Sequence, residues 1–127
     1  MYEITVERTF CAAHAIIIRG QLEPLHGHNW KVTASIAGET LDEDGLLCDF
    51  HAVDRVLAQI TEPFMNKNLN EIPPFNDVNP SAEHVARHIA VELAARLKDE
   101  LAPGGQVKAV SVTEAPGCCA TYRLGTI

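Results

Sequence analysis

Apolar and polar side chains alternate at the start of the chain: Tyr2, Ile4, Val6 and Phe10 share one parity, while Glu3, Thr5 and Glu7 hold the other. A period of two sends successive side chains to opposite faces, so this segment is predicted as a half-buried strand. Trp30, Val32, Ala34 and Ile36, set against Lys31, Thr33 and Ser35, predict a second. The acidic, glycine-bearing tract from Gly38 to Gly45 then reads as a turn. Beyond it the period changes. Phe50, Val53, Val56, Leu57 and Ile60 recur at helical spacing, with Asp49 as N-cap and Pro63 as stop. A longer helix is predicted from Ser81 to Leu101, where Val85, Ile89, Leu93, Leu97 and Leu101 recur every four residues and Ala-Pro-Gly-Gly ends the run. Between the helices, Asn66 to Pro80 is an Asn- and Pro-rich loop, long enough to invite a functional role. Strand alternation returns with Val110 and Val112, and again with Cys118, Ala120, Tyr122 and Leu124, around the turn Ala115-Pro116-Gly117. The order ββααββ predicts an α+β fold, a four-stranded antiparallel sheet with both helices packed on one face.

Length and composition narrow the function classes. At 127 residues, 46% apolar and 21% charged, the chain is expected to form one domain spanning 1–127, without repeats or linkers. The longest apolar stretch, Ala12 to Ile18, is broken by His14 and is far too short to cross a bilayer. Residues Met1 to Arg8 lack the layout of an export signal, so cytoplasmic residence is the expectation. A net charge of −7, with the basic residues scattered, argues against nucleic acid as a partner, and membranes are not expected either. Cys11, Cys48, Cys118 and Cys119 show no C-x-x-C spacing and are read as free thiols in a reducing compartment.

Candidate chemistry collects in the histidines. His26 and His28 share parity with Trp30, so a second strand reaching back to residue 26 projects both imidazoles to one side, with Gly27 between them. If the first two strands pair antiparallel, His14 at the end of one lies beside the start of the other. Three neutral imidazoles suit Zn²⁺ and leave a fourth position open, as in catalytic zinc sites. The competing reading is a set of surface or hydrogen-bonded histidines without metal. His84 and His88 stand four apart on a helix without the zincin glutamate, and His51 has no ligand-spaced neighbour. Glu114 shares parity with Val110 and Val112, so its carboxylate needs a basic residue or a donor-bearing ligand, unless the strand frays into solvent there. H-x-H on a strand also suggests a cupin-like oxygenase or isomerase. The first glutamate after His28 is Glu39, however, too distant for that pattern.

Several motifs together resemble the 6-pyruvoyl-tetrahydropterin synthase and 6-carboxytetrahydropterin synthase family over essentially the whole chain. They are Phe10-Cys-Ala-Ala-His14, His26-Gly27-His28, Gly45-Leu-Leu-Cys-Asp49-Phe50, Asn68-Leu69-Asn70, Asn79-Pro80-Ser81-Ala82-Glu83 and Val112-Thr113-Glu114. The resemblance implies the T-fold, assembled as a homohexamer of two stacked trimers with pterin sites at subunit interfaces. It also implies Zn²⁺ on His14, His26 and His28, and Glu114 gripping the pterin ring, with Thr113 and Asp49 assisting.

Three departures bear on activity. The family's catalytic cysteine falls at Leu22, and its Asp-His pair falls at Met65 and Asn66. None of these side chains is a thiolate or relays a proton at neutral pH, so the usual synthase reaction, loss of triphosphate from dihydroneopterin triphosphate, is expected to be absent or very slow. Glu23, in Glu23-Pro24-Leu25-His26, resembles a variant subgroup in which a glutamate serves as the base for side-chain cleavage. The expectation is a pterin-binding protein acting as a zinc-dependent carbon–carbon or carbon–oxygen lyase on a dihydroneopterin-type substrate. The alternative is an inactive or differently active pterin-binding T-fold protein without metal. A phosphorylated side chain would call on basic residues such as Arg19, Lys31 or Lys67, none of them placed by sequence.

Overall fold

The computed structural model describes residues 1–125. Both predicted N-terminal strands form and run further than their apolar alternation: β1 spans Tyr2–His14 and β4 spans His26–Gly38. They pair antiparallel along their full length, from Tyr2 opposite Gly38 to His14 opposite His26. The intervening residues fold back as a small hairpin, β2 (Ile17–Ile18) and β3 (Gln21–Leu22), which no periodicity announces. Arg19 and Gly20 at its tip both take positive φ, at 52° and 80°, as a two-residue turn between right-twisted strands requires.

Helix α1 covers Phe50–Thr61, and the Asp49 carboxylate accepts the His51 N–H as its N-cap. Helix α2 covers Ala82–Leu97 with Ser81 as N-cap. It stops four residues short of the predicted end, where Lys98–Glu100 tighten into a 3₁₀ turn. After β6 (Gln106–Ala115) comes β7 (Cys118–Arg123), antiparallel to it. The four expected strands are joined by a fifth that the sequence reading did not anticipate. β5 is only Lys67–Asn68 and runs parallel to β1, giving the order β5-β1-β4-β6-β7.

Both helices lie on one face of this sheet, α1 over β1 and α2 over β6 and β7. The layer between is closed by Phe10, Trp30, Val32, Ile36, Val110 and Val112 from the strands, against Val53, Leu57, Val85, Ile89, Leu93 and Leu97 from the helices. At the far end of β4, a side chain on Gly38 would meet the Leu47 methyl at 2.7 Å and the Gly105 backbone at 3.1 Å, so the sheet end and two loops close up there. Among the described residues, no helix is long and apolar enough to cross a membrane.

Candidate metal centre and flanking carboxylates

The apolar stripe of β1 and β4 ends in histidine. On the core-facing side, Phe10 stands opposite Trp30, Ala12 opposite His28 and His14 opposite His26, so the register carries the alternation straight from the core into the site. The three imidazole centroids lie 4.8, 5.1 and 4.7 Å apart, each ring edge-on to the next. Trp30 forms the floor beneath them, edge-on to His14 at 4.8 Å and to His28 at 5.7 Å. One nitrogen from each histidine falls within 4.8 Å of the others, the spacing a shared metal ion needs.

Two of the rings are oriented from behind. His14 Nδ1 lies 2.8 Å from the Pro80 carbonyl, and His26 Nδ1 lies 2.8 Å from the Pro24 carbonyl. A carbonyl only accepts, so each Nδ1 carries a proton and, in the neutral ring, each Nε2 presents its lone pair. That backing by a second partner is typical of metal-ligating histidines. His14 is 1% exposed, and its Nε2, like that of His28, is buried without a hydrogen-bond partner. Burial also lowers the His28 pKa, the dominant influence over the opposing Glu114 charge, and so favours the neutral ligand form. Imidazole nitrogens converging on one point, those of His14 and His28 without a hydrogen-bond partner, fit a divalent cation of zinc type.

Two carboxylates flank the triad. Glu114 Oε1 lies 3.1 Å from His14 Nε2 and 3.9 Å from His28 Nε2. Glu23 Oε1 lies 3.7 Å from His26 Nε2 and accepts the Ile16 N–H at 3.0 Å, which anchors it rather than leaving it a free loop carboxylate. Thr113, Glu114, His28 and Lys31 border one depression of about 460 Å³. A larger groove of about 560 Å³ is lined by Cys11, Asn29, Asn66 and Lys67.

Not every candidate is gathered here. Asp49 caps α1, and the adjoining Leu47 packs against Gly38 at the other end of β4, ten positions from His28. At about 3.3 Å per residue that is some 30 Å away, so within one chain Asp49 does not join the cluster. Lys31 is held by Glu7 at 2.7 Å, and Arg19 sits at the hairpin tip. Leu22 is 66% exposed on β3. His84 and His88 lie outside the triad. The His84 Nδ1 pairs with the Asn79 carbonyl at 2.7 Å, while the His88 ring packs between Phe64 and Phe75.

The sequence reading gave no role to Asn70 or Asn79, yet both build the site. Asn70 accepts the Ala15 N–H at 2.9 Å and donates to the Ala15 carbonyl at 2.7 Å. Asn79 does the same to Ile17, at 2.8 and 3.1 Å. Each amide imitates a strand partner for one residue, fixing the path from His14 into the hairpin that leads to Glu23. The signals in the sequence were their place in a loop too long to be a simple connection and their occurrence in two of the motifs that carry the family resemblance.

Residues 3–125 match the family model for 6-pyruvoyl tetrahydropterin synthase. An Archaeoglobus fulgidus protein provisionally named 6-carboxy-5,6,7,8-tetrahydropterin synthase is 32% identical over 91 residues, covering 72% of this chain and 75% of that protein. The human 6-pyruvoyl tetrahydrobiopterin synthase is 29% identical over 100 residues, 77% of this chain and 66% of its own length. Among solved structures, the Caenorhabditis elegans 6-pyruvoyl tetrahydropterin synthase superposes with a TM-score of 0.78 at 20% identity over 98% of both chains. The Plasmodium vivax enzyme with its catalytic glutamate replaced by alanine gives 0.76 at 20% identity, again over 98% of both. The chain therefore belongs to the 6-pyruvoyl tetrahydropterin synthase family and adopts its T-fold.

Proposed function

We propose that this family member binds a dihydropterin and cleaves its side chain as a metal-dependent lyase, with the usual synthase reaction lost. The observation that carries this reading is the placement of two carboxylates on either side of one histidine triad. Glu114 would hold the heterocycle, a carboxylate being suited to accept two parallel N–H bonds from an amino-pyrimidine edge. Thr113 borders the same depression and would assist. His14, His26 and His28 would hold Zn²⁺, which when bound acts as a Lewis acid on the side-chain hydroxyls.

Glu23 is the base in this scheme. Its carboxylate takes the proton of the second side-chain hydroxyl, and the bond between the first and second side-chain carbons breaks. The electron pair passes to the first carbon, which takes up a proton. Dihydroneopterin thus yields 6-hydroxymethyl-dihydropterin and glycolaldehyde with no oxidant or reductant. Glu23 is suited to this because the Ile16 amide anchors it 3.7 Å from His26, within one small displacement of proton-transfer reach. The Plasmodium vivax relative whose catalytic residue is a glutamate lends support by analogy. Leu22, Met65 and Asn66 supply no replacement for a thiolate or proton relay.

The exposed apolar side chains of the hairpin, Ile17, Ile18, Leu22 and Leu25, fit burial against a neighbouring copy, in keeping with a homohexamer whose sites lie at subunit junctions. The test is metal analysis of the purified protein, then incubation with dihydroneopterin and with its triphosphate, products being read by mass. We expect 6-hydroxymethyl-dihydropterin in the first case, abolished by Glu23→Gln. Rapid formation of the 6-pyruvoyl product would refute the reading of Leu22, Met65 and Asn66. Pterin binding without turnover, lost in Glu114→Ala and unchanged in Glu23→Gln, would establish the non-catalytic alternative.

A further inference from the structure

Glu114 stands where an acceptor should not stand. With the His14 Nδ1 proton committed to the Pro80 carbonyl, the neutral ring turns a lone pair, not a donor, toward Glu114 at 3.1 Å. Two lone-pair-bearing atoms at that distance, one on a ring 1% exposed, repel unless a proton or a metal cation lies between them, and the His14 Nε2 makes no hydrogen bond. Among the described residues, no N–H or O–H group donates to the Glu114 carboxylate, whereas Glu23 has the Ile16 amide. The same Glu114 oxygen is 3.9 Å from His28 Nε2. Donors bound at about 2.0–2.2 Å in a tetrahedral shell stand about 3.3 Å from one another, and these two separations bracket that value.

From this geometry we infer that Glu114 is itself a metal ligand in the ligand-free protein, closing a His₃-carboxylate shell, and leaves it when a heterocycle offers its N–H edge. The exchange rests on the proposed pterin reading, while the ligation rests only on the positions of Glu114, His14 and His28. One carboxylate then has two mutually exclusive partners. The open metal position that the chemistry needs appears only once the ring is seated, so a bound pterin unlocks the site and free protein keeps it shut. β6 can supply that freedom: its pairing with β7 is irregular between Thr113 and Ala115, so the Glu114 backbone is not locked in a regular ladder.

The experiment uses the protein loaded with Co²⁺, whose visible absorption reports coordination, with azide as a probe for an open position. Pterin without a side chain serves as the heterocycle, because it carries no hydroxyls of its own to the metal. Wild type is expected to show a four-coordinate spectrum indifferent to azide. Glu114→Gln, confirmed folded by circular dichroism, is expected to respond to azide and to bind Co²⁺ at least about tenfold more weakly against a chelator. Added pterin should make the wild-type spectrum azide-sensitive. Identical spectra and affinities in wild type and Glu114→Gln would overturn the ligation, as would wild type that takes up no Co²⁺. Pterin that binds while the spectrum stays indifferent to azide would overturn the exchange. A closed wild-type spectrum with no pterin binding would uphold the ligation and refute the ligand reading, so the two failures are distinguishable.

Discussion

Replacing Trp30 by phenylalanine tests the claim that the histidine cluster is an extension of the hydrophobic core. Trp30 is 0% exposed, donates its Nε1–H to the Ala12 carbonyl at 3.0 Å, stacks on Phe10 at 6.0 Å and supports the His14 and His28 rings. Phenylalanine keeps one ring and loses the other. The lost burial is about 40–60 Å², worth about 1–1.5 kcal/mol at about 25 cal/mol/Å². The lost hydrogen bond adds about 1 kcal/mol. The expected destabilisation is therefore about 2–2.5 kcal/mol, a substantial part of the 5–15 kcal/mol or so that such domains possess, with a fall in Tm of about 6–10 °C. Urea unfolding should be followed by far-ultraviolet circular dichroism, because Trp30 is the sole tryptophan and its removal silences the fluorescence. Metal affinity should fall several-fold in the same variant. A midpoint shift worth less than about 0.5 kcal/mol would refute the reasoning. Full destabilisation with unaltered metal affinity would mean that strand register alone holds the histidines.

The asparagine clamps make a second prediction. Asn70→Ala deletes both bonds to part-buried Ala15 and should cost about 1–3 kcal/mol, with Asn79→Ala costing less at exposed Ile17. Amide exchange across residues 15–23 should accelerate in both, and protection equal to wild type would show that the hairpin holds itself. A third concerns pH in the metal-free protein. Burial lowers the pKa of His28 and of His88 below 6.5, against the raising influence of Glu114 on one and Glu92 on the other. Below that value the unfolded chain binds protons that the folded chain does not, so stability falls as pH drops from about 6.5 toward the folded values. His88→Phe, filling the space between Phe64 and Phe75, should shallow this acid-side slope. Stability that rises on acidification through this range would contradict the assignment.

Much of the histidine cluster was legible because its logic is local. Parity with Trp30 assigned His26 and His28 to the core face, and one assumption, antiparallel pairing of the first two strands, brought in His14. The Asp49 cap was equally readable, a short acceptor side chain just before a helical period, while Ser81, read as the first helical residue, is the cap of α2. The ββααββ order of the long elements survives, with the two-residue strands β2, β3 and β5 inserted into it. β5 was not legible, since two residues at a sheet edge cannot display a period, and neither could the two-residue strands β2 and β3. Asp49 was attached to the site through a family motif, and within one chain it caps α1, away from the histidine cluster.

What the sequence determined, then, was which side chains share a face, because a strand's two-residue repeat and a helix's 3.6-residue repeat are properties of the backbone alone. Tertiary structure decided which atoms on that face meet. The Pro80 carbonyl reaches His14 across 66 residues, Asn70 reaches Ala15 across 55, and Glu114 arrives at His14 from two strands away. Those contacts fix tautomers, anchor Glu23 and aim the carboxylate of Glu114. They depend on loop closure and on the packing of α2 against the sheet, which no local repeat encodes.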